Sequence, residues 1–331
     1  MPFDQPHRRE FITLIGGAAA AWPFGARAQQ PGKVSRIGFL GSASASGYAR
    51  QLEGFRSGLR DLGYIEGTNV VIAYRWAEGN YVRLPELAVE LIRSNVDVIV
   101  THGTPGTLAA KQATVTVPIV MAIIGDPVGT GIVASLAHPG GNVTGTSFFG
   151  PELGAKRIEL LKEMLPRITR VGVLVNPDNP YFRLELPALE ATARSLSVEV
   201  SQFPVRSPSE FEGAFEKMQQ EDVKAVTVQD EGMLTANVTA IAALAIRRNL
   251  LSMGNNDLAR AGGLIGYGVD FFEIFRRAAA FVDKVLKGTK PTDIPIEQAA
   301  RFHFVLNLKT ARALGLDVPT SMLLRADEVI E

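Results

Sequence analysis

Small and polar side chains recur in this sequence where short apolar runs, the predicted strands, come to an end. In open parallel α/β sheets, ligands bind outside the carboxyl ends of the strands. We therefore expect these side chains to lie on one binding face. They are Ser42, Ser44, Thr104, Asp126, Asn176, Asp230, Asn255, Asn256 and Tyr267.

The residue types in this set favour the binding of a zwitterion over a reaction centre. Thr104 precedes a predicted helix, whose free backbone N–H groups attract an anion such as a carboxylate. Asp126 and Asp230 are carboxylates that can hold an ammonium group through charge-assisted hydrogen bonds. Both aspartates also stand before predicted helices, where Asp is a frequent N-cap, so capping is the alternative role for each.

The segment Pro118–Phe149 is predicted to form a strand, a turn, a short helix, a second turn and a second strand. Within it, Gly129 to Ala134 reads GTGIVA, which fits a dinucleotide-binding fingerprint in its letters. Because Asp126-Pro127 comes first, these glycines are predicted to lie inside the helix and not in the tight turn that a pyrophosphate approaches. We therefore predict a wall of a ligand cleft followed by a crossing to a second lobe.

The inventory of reactive side chains predicts no catalytic residue, no metal site and no cofactor. The chain has no cysteine and four histidines, and none of the histidines belongs to an HExxH pattern. His102 ends a predicted strand on the binding face, and its pairing with Asp126 is the basis for a rival interpretation as a periplasmic α/β enzyme. We predict that the protein is not an enzyme.

Composition excludes other classes of function. The 331 residues are 46% hydrophobic, and Lys plus Arg equals Asp plus Glu at 34 each. With no excess of positive charge, we expect no nucleic-acid partner. The length exceeds that of a usual single hydrophobic core, so two lobes are expected.

The N-terminus has the pattern of a cleaved export leader. Arg8-Arg9 is followed by an apolar run from Phe11 to Phe24 and by Ala26-Arg27-Ala28. The run is shorter than the ~20 apolar residues of a membrane span. We interpret residues 1–28 as a twin-arginine signal peptide, which predicts export to the periplasm.

Two similar arrays of alternating strands and helices follow the leader. Arg36 to Leu40 (RIGFL) opens the first array and Arg170 to Leu174 (RVGVL) opens the second. Repeated βα units with apolar strands predict parallel sheets that are covered by helices on both faces. The predicted fold class is therefore α/β, with two similar doubly wound parallel-sheet lobes joined by a multi-segment hinge.

Several stretches, taken in series, resemble the substrate-binding proteins of ABC transporters, in the tryptophan/tyrosine-binding-like family with the type I periplasmic binding fold. The resemblance extends from the leader to the C-terminus. The stretches are RREFITLIGGAAAAWPFGARAQQP, AYRWAEGNYVRLPELA, GDPVGTGIVASLAHPGGNVTG, ELGAKRIELLKEMLP, VGVLVNP, AGGLIGYGVD and LNLKTARALGLDVPTSMLLRADEVIE.

This resemblance implies two lobes with a ligand in the cleft between them. Residues 34–146 and 263–290 are expected to form the first lobe, and residues 147–262 and 291–331 the second. By position, the 41–46 loop with Ser42 and Ser44, Thr104-Pro105 and Asp126 line the first wall. Asn176, Asp230 and Tyr267 are expected to face them from the second lobe or the hinge. Asn256 is a further candidate ligand-binding residue, from its position at a strand end.

The resemblance also implies an amino-acid-like ligand, an ABC permease as membrane partner and a monomeric protein. Tyr48, Tyr181 and Tyr267 are the candidates for aromatic residues of the pocket, and the ligand itself stays open. Besides the enzyme, a ligand-sensing periplasmic domain for a membrane partner is an alternative with the same fold.

Overall fold

The computed structural model describes residues 34–148 and 150–331, without the side chain of Pro151. Strands and helices alternate through this part of the chain. The strands are β1 (Ser35–Gly41), β2 (Val70–Trp76), β3 (Val98–Thr101), β4 (Ile119–Ile124), β5 (Val143–Phe148), β6 (Arg170–Val175), β7 (Glu199–Pro204), β8 (Ala225–Val228), β9 (Leu251–Gly254), β10 (Ile265–Gly268), β11 (Glu297–Ala299), β12 (His303–Asn307) and β13 (Glu328–Ile330). The α-helices are α1 (Ala49–Asp61), α2 (Leu84–Arg93), α3 (Gly103–Ala113), α4 (Gly150–Met164), α5 (Phe182–Ser195), α6 (Phe211–Gln220), α7 (Gly232–Ala236), α8 (Val238–Arg247), α9 (Asn256–Arg260), α10 (Phe271–Leu286), α11 (Leu308–Ala313) and α12 (Thr320–Arg325).

Two sheets form the centres of two lobes. The first has the strand order β11-β5-β4-β3-β1-β2, and its pairings are parallel. The second has the order β13-β12-β10-β9-β8-β6-β7, with β12 antiparallel to β10 and the other pairings parallel. The first five strands of each array follow the same order, since β2-β1-β3-β4-β5 corresponds to β7-β6-β8-β9-β10. The predicted α/β class with two similar parallel-sheet lobes is confirmed.

Burial of the central strands explains the long apolar runs of the sequence. Every residue of β3, β4, β5, β8 and β9 is buried. Such runs are typical of parallel strands with helices on both faces, because neither face meets solvent.

Helix α10 carries the chain back from the second sheet to the first lobe. It packs closely on α1 at two glycines. A Cβ atom at Gly54 would lie 2.4 Å from the carbonyl oxygen of Phe272, and one at Gly58 would lie 2.3 Å from that of Arg276. The contact therefore requires glycine at both positions, and it brings the start of α10 to the cleft between the lobes.

The strand pairings differ from the expected lobe boundaries at three places. Ser147 and Phe148 still belong to β5 of the first sheet. Strand β10, expected in the first lobe, pairs in the second sheet, and β11, expected in the second lobe, pairs in the first. A short apolar run fits either sheet equally well, and only the backbone partner that it meets decides between them. The chain thus crosses between lobes after β5, after β10 and after β11.

The prediction of a short helix after β4 is wrong. Residues 127–131 form a turn and residues 132–138 bends and irregular backbone. Thr130 N–H donates to Asp126 O at 3.1 Å, and Ile132 N–H donates to Pro127 O at 2.9 Å. Gly131 has a φ of +71°, a left-handed conformation that ends a helix and that glycine adopts without strain. This segment therefore cannot provide the strand-turn-helix geometry of a dinucleotide loop.

The predicted signal peptide, residues 1–28, lies outside the described residues. Within residues 34–148 and 150–331, none of the helices combines the length and the apolar character that a membrane crossing requires.

Candidate functional site

A cavity lies between the two lobes. Its volume is about 30 Å³, which is room for only about one or two water molecules. Both lobes line it, so its shape depends on how they are closed on each other. The polar and ring-bearing lining residues include Tyr48, His102 and Thr104 from the first lobe and Tyr181, Asp230 and Glu231 from the second.

Helix α3 begins at the cavity wall of the first lobe. Gly103 and Thr104 are its first residues, and both line the cavity. The N-cap, His102, makes no side-chain capping hydrogen bond. The first backbone N–H groups of an eleven-residue helix therefore lack a capping side chain, and the positive end of the helix dipole favours an anion there.

His102 forms a neutral, rigid part of the same wall. Its ring stacks on Tyr48, with 4.2 Å between ring centroids and 29° between planes. Ser42 N–H donates to His102 Nε2 at 3.4 Å. Burial lowers the pKa of His102 to about 3, so the ring is uncharged near neutral pH and carries its proton on Nδ1.

Asp230 provides a carboxylate from the second lobe. Arg157 Nη2 donates to Asp230 Oδ2 at 2.8 Å, and the two side chains are only 3% and 7% exposed. The guanidinium also donates to the carbonyl oxygen of Tyr267 from Nε and Nη2. Asp230 Oδ1 is buried and has no hydrogen-bond partner. A buried unpaired oxygen is costly, so this atom is an open acceptor on a residue that lines the cavity.

Glu231, the next residue, is instead fully engaged. Leu234 N–H donates to Oε1, which caps α7, and Asn176 Nδ2 donates to Oε2 at 3.4 Å. Tyr81, from the first lobe, donates its hydroxyl hydrogen bond to Oε2 as well. Burial raises the pKa of Glu231. The two adjacent acidic residues therefore differ: one has a free oxygen at the cavity, and the other joins the lobes.

Tyr181 reaches from the second lobe into the first. A Cβ atom at Gly125 would lie 2.5 to 2.6 Å from atoms of the Tyr181 ring, so only glycine allows this packing. The ring also meets Phe148 edge-on, with 6.0 Å between centroids. Tyr181 is 2% exposed, and its hydroxyl has no partner.

An apolar, largely aromatic wall closes the remaining side of the cavity. Phe271 and Phe275, both on α10, line it together with Phe148 and Ile123. The centroid of Phe275 lies 6.0 Å from that of Tyr48. Such a wall suits a planar apolar group.

A second carboxyl group is buried behind the Asp230–Arg157 pair. Glu185, on α5, is 7% exposed. Burial, with a smaller contribution from the negative charge of Asp230, raises its pKa to about 8, although Arg157 acts in the opposite direction. Glu185 is therefore protonated at neutral pH.

Four of the predicted site residues are at the cavity or directly behind it. Thr104 and Asp230 line it. Ser42 contacts it through its hydrogen bond to His102, and Asn176 through its hydrogen bond to Glu231.

The other predicted residues lie elsewhere. Pro105 lines a neighbouring groove between the lobes, and Ser44 lies in a loop. Asn256 donates to a backbone carbonyl of β10, and Tyr267 stacks on Phe302. A position in a strand-end loop does not decide which way a side chain points, because the side chains of neighbouring loop residues point to different sides.

Asp126 fills the alternative role that the sequence left open. Its Oδ1 accepts hydrogen bonds from the backbone N–H groups of Val128 and Gly129, at 3.0 and 2.8 Å. It caps a turn and is not among the residues that line the cavity. His102 makes its side-chain hydrogen bond to Ser42 and not to Asp126, so the pair on which the enzyme interpretation was based is not formed.

Sequence reasoning did not include the aromatic wall or Glu231 in the predicted site. Glu231 stands beside Asp230 at a strand end, so adjacency was the available signal. Phe271 and Phe275 carry no such signal, since their place depends on the return of α10 to the first lobe. Among the described residues, no three His, Asp or Glu side chains are grouped as a metal ion requires.

Comparison with known proteins agrees with this geometry. Residues 37–330 match the family described as ABC transporter substrate binding protein. A tyrosine-binding protein of Clostridioides difficile (strain R20291) is 26% identical over 266 residues, which cover 80% of this chain and 76% of that protein.

Two solved structures are similar over nearly the whole length. An ABC domain from Streptococcus pneumoniae in complex with L-Trp has a TM-score of 0.82 and 26% identity, and the match covers 89% of this chain and 99% of that one. A conserved domain protein from Vibrio cholerae O1 biovar El Tor has a TM-score of 0.83 and 26% identity, over 90% and 100%. The fold is the type I periplasmic binding fold, and the chain belongs to the ABC transporter substrate-binding protein family.

Proposed function

We propose that this protein is the exported solute-binding component of an ABC importer, which binds an aromatic α-amino acid between its lobes and delivers it to a permease. Export to the periplasm rests on the Arg8-Arg9 leader. The aromatic amino acid is supported by two relatives, one described as tyrosine-binding and one solved with L-Trp. The permease partner rests on the family.

The observation that carries the proposal is the opposite polarity of the two cavity walls. In the first lobe, the uncapped start of α3 at Gly103 and Thr104 favours a carboxylate. In the second lobe, the open Oδ1 of Asp230 accepts a hydrogen bond from an ammonium group. An α-amino acid carries both charges on one carbon atom and so bridges the lobes.

The side chain of the amino acid is assigned to the aromatic wall. Phe148, Phe271 and Phe275 provide apolar rings there, and ring pairs add about 0.5 to 1.5 kcal/mol to the burial of their area. The cavity of about 30 Å³ is smaller than an indole or phenol ring, so binding of such a ring requires the cavity walls to move apart.

Ligand binding favours closure because the ligand touches both lobes only when they are closed. The crossings after β5, β10 and β11 provide the hinge. The ligand contributes its differential affinity for the closed state, and that difference sets how far the equilibrium shifts.

Titration calorimetry and thermal unfolding with three indole compounds test the proposal. L-Tryptophan is expected to bind and stabilise, by about 2.7 kcal/mol at 100 times its dissociation constant. Tryptamine lacks the carboxylate and indole-3-propionate lacks the ammonium group, so each is expected to bind at least about tenfold more weakly. Failure of all aromatic amino acids to bind would refute the proposed ligand class.

Asp230→Asn tests the ammonium site itself. The variant is expected to lose the preference for L-tryptophan over indole-3-propionate. The measured quantity is the ratio of the two dissociation constants, because this ratio does not depend on any loss of stability from the broken Arg157 pair. Asp61→Asn is the control, because Asp61 also pairs with an arginine, Arg276, but on the surface. An unchanged ratio in Asp230→Asn would place the ammonium group elsewhere.

A further inference from the structure

Tyr81 of the first lobe makes a hydrogen-bonded contact with the second lobe beside the cavity. It begins the 3₁₀ turn Tyr81–Arg83. Its hydroxyl donates to Glu231 Oε2 and accepts from Met233 N–H at 3.1 Å. The phenol thus meets both the capping carboxylate of α7 and a backbone donor at the start of that helix.

The contact is partly buried and close-packed. Burial, followed by the negative charge of Glu231, raises the pKa of Tyr81, so the phenol keeps the proton that it donates. A Cβ atom at Gly232 would lie 2.2 Å from Ser42 Oγ and 3.3 Å from the Tyr81 hydroxyl. The first lobe therefore approaches α7 to a distance that only glycine permits.

Glu231 holds its position without Tyr81. Its other hydrogen bonds, from Leu234 N–H and Asn176 Nδ2, come from its own lobe. Of the side-chain hydrogen bonds of Glu231, separation of the lobes removes only the one from Tyr81. The contact therefore contributes to the closed state alone.

We infer that Tyr81 is a positioning residue that acts as a latch: its hydrogen bond to Glu231 stabilises the closed state of the two lobes. It therefore raises the affinity of each ligand that closes the cleft by the same factor. The adjacent acidic residues then divide two tasks: Asp230 recognises the ligand and Glu231 recognises the first lobe. This inference rests on the proposed function, since it requires a ligand that closes the cleft.

The chain offers a matched control at Tyr64. Its hydroxyl also donates to a carboxylate, Asp283 Oδ1, at 2.9 Å, but Tyr64 and Asp283 both belong to the first lobe, because Asp283 lies on α10. Tyr64→Phe removes the same kind of hydrogen bond without touching closure. It is expected to lower the midpoint of unfolding and to leave ligand affinity unchanged.

The test measures dissociation constants of L-tryptophan and L-tyrosine, together with unfolding of the free protein. Tyr81→Phe is expected to weaken both ligands by the same factor, at least about tenfold for a hydrogen bond to a charged group. Dissociation accelerates, while the midpoint of unfolding without ligand stays as in the wild type. Glu231→Gln breaks the contact from the other lobe, and the double variant is expected to bind no more weakly than Glu231→Gln alone.

Three results would overturn the inference. Wild-type affinity in Tyr81→Phe would show that the contact does not support closure. Unequal factors for the two ligands would make Tyr81 a ligand contact and not a latch, and a loss of stability like that of Tyr64→Phe would make it merely structural. If the wild type binds neither amino acid, the proposed function fails and this inference fails with it.

Discussion

Replacing Glu185 by Gln is expected to stabilise the protein at alkaline pH and to have little effect in acid. Glu185 is 7% exposed, and no hydrogen bond is among the causes that set its pKa. Burial raises that pKa from 4.5 to about 8. Ionisation above pH 8 therefore places a charge in a site that solvates it poorly, and an amide of the same shape avoids this cost.

The magnitude follows from proton linkage. Between pH 4.5 and about 8 the folded protein holds a proton that the unfolded chain has released, so stability falls as the pH rises through this window. One pKa unit corresponds to about 1.4 kcal/mol, which gives a total of about 5 kcal/mol as an upper limit. Relaxation around the carboxylate reduces this, and we expect about 2 to 4 kcal/mol.

Urea unfolding of the wild type and of Glu185→Gln at pH 4.5 and pH 8.5 measures this difference. The variant is expected to be the more stable protein at pH 8.5, and the gap is expected to be nearly closed at pH 4.5, where the folded wild type is protonated and the unfolded chain is about half protonated. Glu190→Gln, on the same helix but less buried, is the control and is expected to show the same small effect at both pH values. A gap that does not depend on pH would refute the reasoning.

Two further predictions concern the cavity wall and the turn beside it. Gly125→Ala places a Cβ atom 2.5 to 2.6 Å from the Tyr181 ring. Such overpacking costs about 1 to 3 kcal/mol, and it is expected to lower the affinity for L-tryptophan by about fivefold to a hundredfold. Gly213→Ala, on α6 with open space around it, is the control, and equal affinities in the two variants would contradict the tight packing. Asp126→Ala removes the acceptor for two backbone N–H groups and is expected to cost about 1 kcal/mol in urea unfolding. The affinity of this variant for L-tryptophan is expected to stay within about twofold of the wild type. A tenfold loss of affinity would show that Asp126 belongs to the ligand site.

The fold was largely predictable because its signals are local. Apolar runs such as that of β4 predict buried parallel strands, and the repeat of RIGFL as RVGVL predicts two like arrays. The lobe boundaries were less predictable. Strand β10 pairs with β9 in the second sheet, although α10, which follows it directly, packs on α1 in the first lobe. Such pairing depends on contacts between residues far apart in the sequence.

The candidate site was predictable as a face but not as a set of side chains. Thr104 and Asp230 line the cavity because a strand end places a residue at the sheet edge. Asp126 has the same kind of position, yet its carboxylate turns back to cap its own loop. Sequence alone gave both aspartates the same two roles, and local hydrogen bonding decided between them.

By itself, the sequence determined the α/β class, the two like lobes and the sheet edge that lines the cavity, because hydrophobic periodicity and strand-end position are properties of neighbouring residues. Only the tertiary structure decided the composition of the cavity. The Asp230–Arg157 pair, the passage of Tyr181 over Gly125 and the return of Phe271 and Phe275 join residues that are far apart in the chain. The contact of Tyr181 with Gly125 exists only when the lobes meet, and no local pattern of residues encodes any of the three.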